Sequence, residues 1–98
     1  MADYATNLFF ASTENERDLD KIEAFLDDNF AYSFIERSDD MLDAQFSSRW
    51  AYSMQEMDKL VASLEAKDEI YIRILTSALK DEYVSFRTFS RGIWNIRV

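Results

Sequence analysis

The residues best equipped for chemistry in this chain are carboxylates, 19 Asp and Glu among 98 residues. Asp39-Asp40-Met41-Leu42-Asp43 gathers three of them in one short run, and oxygen-rich clusters of that kind suit magnesium. Beside Ser38, however, the same acids read as a solvated turn, because Asp and Ser hydrogen-bond their own backbone there. Four further acids, Glu16, Asp20, Glu23 and Asp27, recur at helical spacing. At 100° per residue they fall in one ~60° arc, with roughly 4.5–6 Å between steps along the axis. Their like-charge i, i+4 and i, i+3 pairs each cost ~0.2–0.5 kcal/mol in an isolated helix. Asp27 and Asp28 also sit at the unfavourable end of the helix dipole. Such a row is either solvated surface, neutralised in part by arginines elsewhere, or a partner-binding stripe that imitates nucleic-acid phosphates. A duplex strand carries a charge every ~3.4 Å, denser than one helical stripe, although Glu36, Asp39, Asp40 and Asp43 extend the row.

Residue types absent from the chain narrow its chemistry. Without Cys there is no disulfide, thiol nucleophile or thiolate metal site, and without His the commonest general base and metal ligand are gone. Pro is absent and the single Gly is Gly92, so a glycine-rich phosphate loop cannot be built. No catalytic residue is assigned, no cofactor or metal is implied, and the expectation is a non-enzymatic protein. A Cys-free small domain fits a reducing compartment. The Met1-Ala2-Asp3-Tyr4 start lacks the basic and apolar regions of a signal peptide, and no apolar run approaches the ~20 residues that span a bilayer. The expected location is therefore cytoplasmic.

The net charge of −8 disfavours direct binding to nucleic acid or to anionic membrane. It is unevenly placed. Residues 1–45 carry 12 acids and 3 bases, whereas residues 46–98 carry 7 acids and 8 bases. Hydrophobic residues make up 48% and aromatics 15%, too many for a disordered chain. One domain spanning 1–98 is expected, burying roughly 65% of its extended-chain surface.

The elements that position these residues follow from periodicity. Tyr4 to Ala11 alternates as a strand. Thr13 and Glu16 form a capping-box pair that opens a helix with Leu19, Ile22, Leu26 and Phe30 on one stripe. Phe30–Arg37 and Leu42–Trp50 read as a hairpin around Ser38-Asp39-Asp40, with Phe30, Tyr32 and Phe34 sharing a face. Ser53 and Glu56 repeat the capping box, with Tyr52 stapled on Met57, ahead of the Met57, Leu60, Val61, Leu64 stripe. Glu69–Ser77, Tyr83–Ser90 and a short Ile93–Val98 strand after Arg91-Gly92 complete the chain. The expected fold is α+β, a ferredoxin-like plait of order β-α-β-β-α-β-β, an antiparallel sheet with two helices on one face.

In such a plait the second sheet face is open. If the isoleucine-rich faces meet the helices, Tyr71, Arg73, Ser85, Arg87, Asn95 and Arg97 point outward. Tyr71, Arg73, Arg87, Asn95 and Arg97 are then a second candidate partner-binding surface, for a protein or for a second copy of the chain. Ordinary cross-strand packing is the plainer reading of the same residues. Tyr83-Val84-Ser85-Phe86-Arg87-Thr88-Phe89 superficially suggests a base-stacking strand, but it follows the second helix and lacks flanking glycines.

Phe46-Ser47-Ser48-Arg49-Trp50-Ala51-Tyr52-Ser53, with the helix and strand after it and then Glu82-Tyr83-Val84-Ser85-Phe86, resembles the YubB-type ferredoxin-like domains of phages, plasmids and other mobile elements. The likeness covers the last half of the chain. Where members commonly have Pro after the Trp and an Asn-Trp-Cys-like opening, this chain has Ala51 and Asp3-Tyr4-Ala5. The resemblance implies a fold and a mobile-element setting, and carries no assigned activity. Similarly, Asp39-Asp40-x-x-Asp43 resembles the diphosphate motif of prenyl-transferring enzymes, which are large helical proteins with deep apolar cavities. The sequence thus points to a small acidic protein-interaction domain. The alternatives are an acidic mimic that blocks a nucleic-acid-binding defence protein and, from another class, a ligand-binding or catalytic plait domain.

Overall fold

In the computed structural model, which describes residues 4–30, 32–49, 52, 54–78 and 82–97, the side chains of Tyr32, Ser33, Arg49 and Arg97 lie outside the described set. The order is β1 (Tyr4–Ser12), α1 (Glu16–Asn29), β2 (Tyr32–Arg37), β3 (Met41–Arg49), α2 (Met54–Ala62), β4 (Tyr71–Ala78), β5 (Tyr83–Ser90) and β6 (Ile93–Arg97). All six strands join one antiparallel sheet, ordered β2-β3-β1-β4-β5-β6.

Strict alternation builds the centre of this sheet. In β1, Ala5, Asn7, Phe9 and Ala11 are buried while Tyr4, Thr6 and Leu8 are exposed. Register carries that parity outward, since Phe9 lies opposite Ala44 in β3 and Ile74 in β4. Leu42, Ala44 and Phe46 therefore share a face with Ile72 and Ile74. Both helices pack on that face, α1 through Leu19, Ile22 and Leu26 and α2 through Met57, Leu60 and Val61. Each such side chain contributes ~1.5–3 kcal/mol when fully buried.

The structure corrects the expected ferredoxin-like plait of order β-α-β-β-α-β-β. The observed order is β-α-β-β-α-β-β-β, a sheet-dominated α+β architecture. Arg91 (φ 54) and Gly92 (φ 75) form a tight left-handed turn, the geometry that matches strand twist in a two-residue hairpin. It returns the chain along β5 from Ser90↔Ile93 to Phe86↔Arg97, so the last segment is a full sixth strand. Two helices ~10 Å wide cover about four strands spaced ~4.8 Å apart. At the β5–β6 end, Trp94 packs on Phe89 (5.0 Å between centroids) and edge-on to Tyr52 (6.1 Å).

Local boundaries shift as well. Asn15, not Thr13, caps α1, accepting from the Asp18 amide at 3.1 Å. Thr13 is still tied to the sheet by Thr13 N–H donating to Asp40 O, and its hydroxyl accepts from the Asn15 amide. Phe30 ends α1, its amide donating to Leu26 O, rather than opening β2. A register shift between Tyr32 and Phe34 breaks the alternation of β2. Phe34, opposite Gln45, lies on the open face while Phe30 packs against the core, so these two do not share a face; the Tyr32 side chain lies outside the described residues. The Ser53 capping box and Trp50 lie outside the described residues.

Candidate functional site

The acidic stripe exists as a row on α1, but it is not bare. Arg37 sits at the end of β2 opposite Leu42, and that parity puts its side chain on the helix side of the sheet. Its Nη1 donates to Asp20 Oδ1 at 2.8 Å and to Glu23 Oε1 at 3.1 Å, and its Nη2 reaches Glu16 O at 3.3 Å. The hydrogen bond to Asp20 is the largest influence holding the guanidinium above its ordinary pKa, desolvation opposing it and Glu23 reinforcing it. One arginine thus relieves the Asp20–Glu23 repulsion at the middle of the stripe. Glu16 and Asp27 flank it at the exposed surface.

The second candidate surface divides. Tyr71 and Arg73 lie on the open face of β4, and β6 places Asn95 on the same face by register; the Arg97 side chain lies outside the described residues. Arg87 and Ser85 do not join them. Ile74 pairs with Arg87 and Thr76 with Ser85, which puts both on the helix-bearing face. There Arg87 Nε donates to Ser85 Oγ at 3.0 Å, and its guanidinium stands 4.0 Å over the Tyr52 ring. Phe89, at the opposite end of β5, fixes this parity by entering the core beside Ile72. It turns Val84 and Phe86 outward instead.

The open face is consequently more apolar than the five named residues suggest. Across its middle, Phe34, Gln45, Leu8, Leu75 and Phe86 follow one another from β2 to β5. The adjacent row reads Glu36, Asp43, Phe10, Arg73, Thr88 and Asn95. Leu8 is 47% exposed, Phe34 44% and Val84 58%. Arg73 lies 4.7 Å from the centre of the Phe10 ring, which also neighbours Tyr71. No described element covers this face, because α1 and α2 both pack on the other. An apolar band of that breadth marks an interaction surface more often than a bare exterior. Leu8 and Phe10 were visible in sequence as alternating residues of β1. Only the sheet order shows that β1 is central and that its outer residues form the middle of a continuous face.

Compared with models of known protein families, with curated proteins and with solved structures, the chain matches none. Of the residues behind the YubB-type expectation, Trp50, Ala51 and Ser53 lie outside the described set.

Two polar networks that sequence reading missed serve the fold. Buried Asn7 donates to Phe46 O (3.2 Å) and Ser48 Oγ (2.9 Å) and accepts from the Thr76 hydroxyl (2.7 Å), locking β1 to both neighbours. Buried Asp18 accepts from the Glu65 and Ala66 amides at 2.8 and 2.9 Å, tying α1 to the loop after α2. No single sequence signal marks either, since Asn in a strand and Asp in a helix are ordinarily exposed. Asp39 and Asp40 occupy the β2–β3 turn, closed by Ser38 N–H donating to Met41 O, while Asp43 points from β3 to the open face. The three do not converge, and no group of carboxylates placed to hold a metal ion occurs among the described residues. No described helix is long and apolar enough to cross a membrane.

Proposed function

We propose that this chain is a non-enzymatic protein-interaction domain that engages its partner through the open face of its sheet. The observation that carries this reading is the band of Leu8, Leu75, Phe86, Phe10 and Phe34 across the sheet centre, which no described element covers. With Leu8 47% exposed there, association releases apolar surface from water at ~25 cal/mol per Å² before the costs of ordering are met. The absence of His and Cys from the sequence supports binding over catalysis, and a Cys-free composition fits a cytoplasmic setting. The phosphate-mimic alternative draws less support, because Arg37 occupies the centre of the α1 stripe.

Site-specific photo-crosslinking tests the reading. A photoreactive phenylalanine analogue at Leu8 or Val84, on the open face, is expected to form protein adducts in cells making the protein. The same group at exposed Ala24 on α1 is expected to form none. Adducts at Ala24 alone, or equal yields at all three positions, overturn it.

A further inference from the structure

We infer that the partner is a second copy of this chain, stacked sheet face to sheet face about a two-fold axis running along β1. This rests on the reading of the open face as an interaction surface and names what covers it. The argument is the charge pattern of that face.

Glu36 and Asp43 stand directly opposite each other on β2 and β3. Like charges so placed destabilise a sheet. Neither has a hydrogen-bond or ion-pair partner among the described residues. On the other side of β1, Arg73 stands over the Phe10 ring and has no carboxylate partner among the described residues. One row therefore reads acid, acid, Phe10, Arg73, with its charges unmatched among the described residues.

A two-fold axis along β1 exchanges β3 with the partner's β4 and β2 with its β5, so it matches Asp43 with Arg73 and sets Glu36 opposite the partner's Thr88. Phe10 meets the partner's Phe10, and Leu8 the partner's Leu8. Asp43 faces the partner's Arg73, and Arg73 the partner's Asp43. Phe34 faces the partner's Phe86. An isologous contact needs such self-complementarity. The Leu8 and Phe10 self-contacts and the Asp43–Arg73 pairs lie on or beside the axis, where the ~30° crossing of stacked sheets displaces them least. Size agrees as well. Five overlapping strands ~4.8 Å apart, over four to five rows ~6.8 Å apart, cover roughly 600 Å² per protomer. That is about 1,200 Å² in total, the lower limit of specific interfaces.

Sedimentation velocity on the full chain, across concentration, tests the inference with Asp43→Arg and Arg73→Asp as variants whose folding is checked by circular dichroism. Wild type is expected to be a dimer. Each variant alone places like charges together and is expected to dissociate at least about tenfold more readily. Mixing the two variants restores both pairs across a heterodimer and is expected to recover association, a result general misfolding cannot produce. A dimer indifferent to both substitutions, or variants not rescued by mixing, overturns the inference. A monomeric wild type whose Leu8 position still crosslinks to a different protein overturns the second copy but leaves the interaction surface standing. A monomer with no crosslinks at Leu8 or Val84 overturns both.

Discussion

Replacing Asp18 with Ala is expected to lower stability by about 2–4 kcal/mol, because it removes two hydrogen bonds to a carboxylate, each worth ~1.5–3 kcal/mol. Asp18 is completely buried, and its two oxygens receive separate backbone amides, Glu65 at 2.8 Å and Ala66 at 2.9 Å. The gross loss of ~3–6 kcal/mol is offset in part, since a buried carboxylate is costly to desolvate and the freed amides lie near enough to the surface to rehydrate. Asp18→Asn sharpens the test. An amide has one acceptor oxygen, so one of the two backbone donors meets an NH₂ group, and a loss of about 2 kcal/mol is expected. Guanidinium unfolding followed by far-UV circular dichroism measures both, with an unchanged slope expected. For a domain of this size the alanine variant is expected to melt about 10–25 °C lower. If Asp18→Asn falls within ~0.5 kcal/mol of wild type, the range of an ordinary surface change, the carboxylate is not acting as a double acceptor and the reasoning fails.

Arg37→Gln leaves Asp20 and Glu23 facing each other; with these acids 68% and 45% exposed, solvent screening limits the loss to about 1 kcal/mol. That difference from wild type is expected to shrink in 1 M salt, read from paired melts. Gly92→Ala puts a Cβ 2.7 Å from Asp68 Oδ1 at a φ of +75, and the left-handed backbone alone costs ~1–2 kcal/mol for an L-residue. Asp68→Ala added to it is expected to relieve the clash but not the backbone cost, as unfolding of the double variant will report. Burial, offset in part by Arg87, pushes the Tyr52 phenol well above its ordinary pKa of 10.0. Its contribution is fully present below that value and is lost as pH rises through the alkaline range, because the unfolded chain ionises first. Tyr52→Phe is expected to flatten the fall in melting temperature above pH 10.

Element types were legible in sequence wherever one periodicity dominated. β1 alternates cleanly, α1 carries Leu19, Ile22 and Leu26 on one stripe, and both survive in the structure. β5 misled because apolar residues occupy both of its parities. Val84 and Phe86 compete with Phe89, and only the Ile72↔Phe89 register decides which face enters the core. Arg87 and Ser85 changed faces for that reason. Capping at Asn15 rather than Thr13 was unreadable because both residues can cap, and the Thr13 backbone is engaged with Asp40. Of the two candidate surfaces, the α1 stripe was visible as spacing. Its partner Arg37 was not, being remote in sequence and turned toward the helix by its position in β2. The apolar band was hidden for a related reason, its members coming from strands whose adjacency is set by tertiary order alone.

The place of β1 has a consequence in time. It is the earliest strand along the chain, yet it lies between β3 and β4, and Asn7 receives the Thr76 hydroxyl from 69 positions away. The β2–β3 hairpin and the β4–β5–β6 meander can each close through near neighbours, but they become one sheet only when β1 is inserted between them. Contacts of such long sequence separation slow folding. During synthesis, β1 must wait with an unpaired edge until Tyr71–Ala78 has left the ribosome. Its charge-free run from Tyr4 to Ser12 leaves that edge without the charges that guard exposed strands against mispairing.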